Sequence, residues 1–247
     1  MIEKIEGIVI NERDFSETSK IINVLTKDRG IIGIMCKGAK TLKSPFRSVT
    51  GKLTYGVFNV YYKKDKLSTL ISVDIINNFK NIKKDIEKIS YVSFLLELSE
   101  QVTKQSYNND IYNLLIDGLV KIDENFDPLI ITNIIELKYL DYLGVMPVID
   151  RCSICGSVNS IATLSSTKGG YVCNRCLTTE KIVNEKTIKL IRMFYYVDIS
   201  KITKMNINPL SKLEINSFLD EYYEQYTGLY LKSKSFINDL KKISIKE

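Results

Sequence analysis

The segment from Lys20 to Cys36 reads KIINVLTKDRGIIGIMC, and it decides the fold of the amino-terminal region. Two runs of aliphatic, mostly β-branched residues lie on either side of Lys27–Gly30, whose aspartate and glycine favour a tight turn. Runs of this kind joined by a short turn are typical of a β-hairpin. The segment therefore predicts two antiparallel strands, Lys20–Thr26 and Ile31–Cys36.

Three further segments of the same kind surround this hairpin. They run from Ile5 to Ile10, from Leu53 to Tyr62 and from Ser68 to Ile75. None of them has a helical period, and loops rich in glycine, proline and charge separate them. Five short strands with tight turns predict a small β-barrel that ends near residue 79.

The apolar pattern changes to a helical period after about residue 83. Apolar residues then recur at steps of three and four, which is typical of amphipathic helices. Helices are predicted near residues 83–102, 109–122, 127–143, 187–196 and 211–226. Asn109 and Asp110 are predicted to cap the second helix, and Asp127 followed by Pro128 is predicted to begin the third.

These patterns together predict an α+β chain, in which a cysteine-rich segment interrupts a helical domain that follows the barrel. The expected boundaries are 1–79 for the barrel, 80–150 and 181–247 for the two parts of the helical domain, and 151–180 for the cysteine module.

Charge is distributed unevenly along the chain. The net charge is +6, yet Lys20–Lys64 holds ten lysines and arginines and only one acid, Asp28. This stretch therefore carries a net +9, and the rest of the chain sums to −3. Such an asymmetry favours a polyanionic partner for the amino-terminal region.

Composition also argues against several classes of protein. The chain contains no histidine, which removes the commonest general base, the Ser–His triad and His-containing metal sites. No signal peptide follows Met1, and no segment reaches the roughly 18 uncharged apolar residues of a membrane-spanning helix. We therefore expect a soluble, cytoplasmic protein without a membrane partner, whose cysteines are free thiols or metal ligands rather than disulfides.

Two cysteine pairs form the most specific motif in the chain. Two residues separate the members of each pair and seventeen separate the pairs, which are Cys152 with Cys155 and Cys173 with Cys176. This spacing is typical of a four-thiolate zinc site, and four protein ligands leave no open coordination position. One structural Zn²⁺ per chain is therefore predicted. An iron–sulfur cluster also uses four thiolates, and a redox-active pair would account for only one of the two C-x-x-C motifs.

The residues around the cysteines support this interpretation. Gly156 suits the tight turn after the first pair, and Gly169–Gly170 predicts a hairpin that delivers Cys173. The fifth cysteine, Cys36, lies in an apolar strand and is predicted to be a buried, inert thiol.

The loop after the hairpin carries four cations and no acid. It reads KGAKTLKSPFR over residues 37–47, and its glycine and proline favour an irregular backbone on which cations can gather around phosphates. The candidate DNA-binding residues, expected on one face, are Arg13, Lys20, Arg29, Lys37, Lys40, Lys43 and Arg47. The candidates for stacking on bases are Phe46, Tyr55, Phe58, Tyr61 and Tyr62, although packing in the core would also account for each of them.

Several motifs, taken in order, resemble the RecO family of recombination mediators. The resemblance covers roughly residues 7–237, and in the family's loop Lys40 and Lys43 stand where relatives often carry arginine. The motifs are GIVI at 7–10, RDFSETSKII at 13–22, the KGAK loop at 37–40 with Phe46–Arg47, RCSICG at 151–156, GGYVC at 169–173 and GLYLKS at 228–233.

The resemblance implies an oligonucleotide-binding (OB) fold for the barrel, a helical domain and a zinc insert. It implies a protein that is not an enzyme, that binds single- and double-stranded DNA and that anneals complementary strands. It further implies association with the nucleoid, partnership with RecR, and help for RecA in replacing single-stranded DNA-binding protein (SSB).

The resemblance also implies that the helical domain binds the acidic tail of SSB, which ends in phenylalanine. An apolar pocket rimmed by cations would suit such a tail. Lys186, Lys189 and Arg192 are candidate rim residues, with a solvated helix face as the alternative.

Other functions remain open from the residues alone. An RNA-binding or ribosome-associated barrel with a structural zinc ribbon has the same composition. A zinc nuclease is disfavoured, because the sequence has no histidine and no carboxylates clustered at metal-binding spacing. A scaffold for protein partners is disfavoured by the +9 stretch.

Overall fold

The structure is a computed structural model that describes residues 1–234 and 236–237. The last part of the predicted range 181–247 therefore lies outside the described residues. The strands are β1 (Ile2–Asp14), β2 (Lys20–Thr26), β3 (Gly30–Cys36), β4 (Tyr55–Tyr61), β5 (Ser68–Asn77), β6 (Ile161–Ser165) and β7 (Gly170–Cys173). The α-helices are α1 (Ile86–Gln105), α2 (Asn109–Asp123), α3 (Pro128–Tyr142), α4 (Glu185–Tyr196) and α5 (Pro209–Tyr226).

The first five strands form a closed barrel in the order β1-β2-β3-β5-β4. Closure depends on β1, which pairs antiparallel with β2 through its second half and with β4 through its first half. The β3–β5 pair is parallel, whereas β2–β3 and β4–β5 are antiparallel. The predicted α+β fold, a five-stranded barrel followed by helices, is confirmed.

The hairpin predicted from residues 20–36 is present. Thr26 lies opposite Gly30 and Lys20 opposite Cys36. The Thr26 hydroxyl donates a hydrogen bond to the Gly30 carbonyl at 2.7 Å and accepts one from the Arg29 N–H at 3.0 Å. Gly30 has a φ of 63°, a conformation that glycine adopts without a Cβ penalty. This turn sequence therefore sets the register of the hairpin.

Strand β1 is longer than the predicted segment Ile5–Ile10. Its polar end, residues 11–14, pairs with β2 after an irregularity between Val9 and Asn11. Apolar alternation was the basis of the prediction, and it stops at this point. Backbone pairing with β2 and an ion pair between Glu12 and Lys20 hold the polar end. Bulges of this kind bend a strand, which helps a small barrel to close.

The barrel core consists of aliphatic side chains packed around Phe58. Phe58, Ile22 and Ile34 are fully buried, and the loop after β3 contributes Ala39. Cys36 belongs to the same core, and burial raises the pKa of its thiol to about 12. The prediction of a buried, inert Cys36 is therefore confirmed.

The helices begin at side-chain caps that satisfy their first backbone N–H groups. Asp127 accepts hydrogen bonds from Leu129 and Ile130, with Pro128 in the first turn, as predicted. The prediction for α2 was wrong by one residue. Asn109 lies inside that helix, and the side chain of Asn108 accepts the hydrogen bond from the Asp110 N–H at 2.8 Å.

The chain divides into two compact units. The first contains residues 1–116 together with the described residues from Ser233 onward, and the second contains Asp117–Lys232. In the first unit, the hydroxyls of Tyr55 and Tyr112 both donate to one oxygen of Glu6, each at 3.0 Å, which joins α2 to the barrel. The second unit contains the two cysteine pairs and α3–α5.

Replacing Phe58 by alanine tests the barrel core. Removing a fully buried aromatic ring leaves a cavity, so Phe58→Ala should lower the free energy of unfolding by about 3–5 kcal/mol in urea denaturation. The matched control is Leu42→Ala, an exposed apolar residue of the adjoining loop, which should change this free energy by less than about 0.5 kcal/mol. A loss below about 1 kcal/mol for Phe58→Ala would contradict the described core.

Candidate metal centre and nucleic-acid interface

A two-stranded sheet positions the second cysteine pair against the first. In this sheet β6 runs antiparallel to β7, with Ile161 opposite Cys173 and Ser165 opposite Gly170. The Cys173 N–H donates to the Cys152 sulfur at 3.5 Å, so the end of β7 meets the first pair. The hairpin predicted to deliver Cys173 is therefore present.

Gly170 allows this hairpin to approach the chain that precedes Cys152. Its φ is 142°, and a Cβ at this position would lie 2.2 Å from the Val148 carbonyl oxygen. No other residue type fits so close an approach. The Tyr171 N–H donates to the Val148 carbonyl at 2.8 Å, which holds the first cysteine pair beside the second.

The structure brings all four predicted ligands together. Their sulfur atoms all lie within 4.8 Å of one another, and the sulfurs of Cys155 and Cys173 are 3.6 Å apart. A tetrahedral ion with bonds of about 2.3 Å places its sulfur ligands roughly 3.8 Å from each other. The cluster therefore has the spacing of a four-thiolate metal site.

The electrostatics of the cluster also fit a cation. Burial opposes ionisation of the Cys152 thiol, but backbone N–H groups of Cys155 and Cys173 outweigh it and lower the pKa of Cys152 to about 6. The hydrogen bond that the Cys176 thiol makes with Cys155 raises the pKa of Cys176 to about 12. Adjacent thiolates repel one another, so the cluster holds four negative charges only when a cation offsets them.

A salt bridge supports the second cysteine pair from outside the cluster. The Lys168 ammonium donates to the Cys176 carbonyl at 3.1 Å and lies 2.6 Å from the Glu180 carboxylate. The hydrogen bond from Lys168 lowers the pKa of Glu180 to about 2. This pair fixes the backbone that carries the last ligand, as second-shell partners do in metal sites.

The basic loop lies against the β1–β2 turn at one end of the barrel. The Lys40 N–H donates to the Thr18 carbonyl at 2.9 Å, and the Gly38 N–H donates to the Ser19 hydroxyl at 3.3 Å. These bonds place residues 37–47 beside residues 13–20. We call this surface, formed by 13–20 and 37–47, the loop end of the barrel.

Six of the seven candidate DNA-binding residues lie at the loop end, and two of these six are neutralised there. Lys20 pairs with Glu12 and Lys40 with Asp14, both at 2.6 Å. The other four are exposed and make no ion pair within the described residues; they are Arg13, Lys37, Lys43 and Arg47.

Arg29 lies elsewhere, in the turn at the far end of the β2–β3 hairpin. Strand β2 separates it from Lys20 by about 20 Å, at a rise of about 3.3 Å per residue. Its guanidinium binds Glu3 at 2.6 Å and lies 4.4 Å from the centre of the Tyr62 ring. The structure thus does not place Arg29 on the face shared by the other candidates.

The aromatic candidates divide between the core and the surface. Phe58 and Tyr55 are buried, Phe46 and Tyr62 are half-buried, and Tyr61 is exposed. Sequence reasoning missed Phe15, which is 59% exposed at the loop end. The available signal was its position in the polar turn RDFSETS, where an aromatic ring has no apolar neighbours in the sequence.

The fold thus combines a small closed barrel that has a cationic end with helices and a four-cysteine cluster spaced for a metal ion. Residues 1–79 match the family model described as Recombination protein O N terminal, and residues 83–235 match Recombination protein O C terminal. The chain therefore belongs to the RecO family of DNA repair proteins.

Relatives of similar length support this membership. DNA repair protein RecO of Listeria monocytogenes serotype 4b (strain CLIP80459) is 34% identical over 245 residues, which is 98% of this chain and 96% of that protein. DNA repair protein RecO of Bacillus subtilis (strain 168) is 32% identical over 244 residues, 97% of this chain and 95% of that protein. Among the described residues, no helix is both long enough and apolar enough to cross a membrane.

Substituting one cysteine of the cluster tests the metal centre. Cys155→Ser should reduce bound transition metal from one ion per chain to well below one, because a serine hydroxyl does not supply a thiolate. Elemental analysis of protein purified without chelator measures this. Cys36→Ala, the control outside the cluster, should keep the metal. A wild-type metal content near zero would rule out the site.

Proposed function

We propose that this chain is a recombination mediator that binds single- and double-stranded DNA and anneals complementary strands. It acts with RecR to help RecA replace SSB on single-stranded DNA. The observation that carries the proposal is the set of four unpaired cations on one end of a closed barrel, in a chain of a DNA repair family. Such cations neutralise phosphates and read no sequence, which suits a protein that must act on any strand.

The proposal includes no catalytic step. The chain contains no histidine, and the four cysteines that would hold a metal leave it no open position for water or substrate. We propose that the bound ion is one structural Zn²⁺, with Cys152, Cys155, Cys173 and Cys176 as its ligands. Zn²⁺ held by four thiolates supplies folding free energy to the segment that carries them.

A cleft beside α4 supports binding of the SSB tail. It has a volume of about 420 Å³, and its lining joins apolar side chains, among them Met193 and Ile207, to the ammonium groups of Lys186 and Lys189. An acidic peptide that ends in phenylalanine needs such an apolar floor and cationic rim. Arg192, the third candidate, lines a neighbouring cleft with Lys189 instead.

Removing the unpaired cations of the loop end tests DNA binding. The triple variant Lys37→Ala, Lys43→Ala and Arg47→Ala should weaken binding to single strands of any sequence. It should also reduce the slope of log affinity against log salt by about 2, because each phosphate contact contributes about 0.7. Fluorescence anisotropy at several salt concentrations measures both.

The control triple removes the same charge from the second unit, through Lys181→Ala, Lys201→Ala and Lys204→Ala, and should bind as the wild type does. In an annealing assay with SSB-coated complementary strands, the wild type should accelerate duplex formation. Salt-independent binding, no acceleration at low salt, or a strong preference for RNA over DNA would each overturn the proposed function.

Charge reversal at the α4 cleft tests recognition of the tail. Lys186→Glu with Lys189→Glu should weaken binding of a labelled acidic peptide ending in phenylalanine by about tenfold or more, since 1.4 kcal/mol corresponds to tenfold. The matched control is Lys181→Glu with Lys204→Glu. Equal peptide binding by both double variants would place the tail elsewhere on the chain.

A further inference from the structure

A second cationic surface lies at the other end of the barrel. We call it the turn end and define it by the β2–β3 turn, residues 27–30, and the β4–β5 turn, residues 61–67. The two turns meet through Arg29, whose guanidinium lies over the Tyr62 ring. The Leu67 side chain also packs closely on Gly33, since a Cβ added to Gly33 would lie 2.8 Å from Leu67 Cδ2.

Most cations of the turn end are available to a ligand. Lys27, Lys63, Lys64 and Lys66 are exposed and form no ion pair in the part of the chain that the structure describes. The acids nearby are fewer, namely Glu3, Asp28 and Asp65, and Arg29 neutralises Glu3 at 2.6 Å. An excess of positive charge therefore faces solvent, as it does at the loop end.

The turn end also presents aromatic rings. Tyr61 is 52% exposed at the end of β4, and Tyr107 is 53% exposed beside the hairpin turn. The Tyr107 ring is so close to that turn that a Cβ on Gly30 would lie 3.0 Å from it. Lysines interleaved with exposed aromatic rings are the combination that binds single strands, through phosphates and stacked bases.

Between the two ends, three of the five strands offer no cation to a phosphate backbone. Residues 21–26 of β2 and residues 30–36 of β3 contain neither a cation nor an aromatic residue. The charged residue of β5 is an acid, Asp74. A single strand that followed β2 from one end to the other would cross about 20 Å without meeting a cation. The two ends are therefore better suited to two strands than to one.

We propose that the turn end is a second DNA-binding surface, so that one chain holds two single strands at once, one at each end of the barrel. The proposal rests on the proposed DNA-binding function and deepens it. Strands held about 20 Å apart on one small barrel have a high effective concentration, so annealing would not need a second copy of the chain.

Binding of short oligonucleotides separates this proposal from a single continuous site. The turn-end triple variant is Lys27→Ala, Lys63→Ala and Lys64→Ala; Arg29 is kept because it contacts Glu3 and Tyr62. Its comparisons are the loop-end triple variant and the control triple variant defined above. Calorimetry with oligothymidine of about eight nucleotides, within the usual site size of such barrels, measures strands bound per chain at low salt.

The wild type and the control triple should bind two oligonucleotides per chain, and each end's triple should bind one. Each end's triple should also anneal complementary strands at least tenfold more slowly than the wild type, with an unchanged thermal unfolding midpoint. A turn-end triple variant that still binds two oligonucleotides would overturn the proposal. If the same variant had also lost binding to RecR, the turn end would be a protein contact instead.

The remaining outcomes distinguish failure of the second surface from failure of the proposed DNA-binding function. If the wild type binds one oligonucleotide and both triples weaken that same event, one strand contacts both ends. The second surface is then wrong while the DNA-binding function stands. If the wild type binds no oligonucleotide at low salt, the proposed function itself fails.

Discussion

Closure of the barrel by β1 is the constraint on which the other features of the first unit depend. One strand pairs with two neighbours, so the sheet closes on itself and the inward side chains pack in the core around Phe58. Charge cannot be accommodated inside such a small barrel. Most cations of the barrel therefore lie in the connections or near strand ends, and the connections gather at two ends. The distribution of cations on the barrel therefore follows from where the strands begin and end.

The second unit depends on a different constraint, the cysteine cluster. Its β6–β7 hairpin is short, with strands of five and four residues, and four sulfurs within 4.8 Å of one another supply a point that an ion can hold. The backbone is prepared for this arrangement, since Gly170 fits against Val148 and Lys168 binds the Cys176 carbonyl. Residues outside the cluster thus fix its geometry, and a bound ion would add to the folding free energy of this segment.

The sequence predicted what is determined locally. The β2–β3 hairpin follows from its own turn residues, the α3 cap from Asp127–Pro128, and the cysteine cluster from the spacing of its pairs. What it could not predict depends on partners far along the chain. The pairing of Lys40 with Asp14 and the position of Arg29 beside Tyr62 arise from strand register, which no local pattern encodes. Exposure of Phe15 likewise depends on what the folded turn leaves uncovered.

The choice of lysine has a physical consequence for annealing. Lysine binds phosphate as a point charge, without the bidentate and stacking contacts of arginine, and four of the five cations at the turn end are lysines. Contacts of this kind position a strand and leave the edges of its bases free to pair with a complement. A protein that must gather strands and then release the product gains more from such reversible contacts than from tighter, base-reading ones.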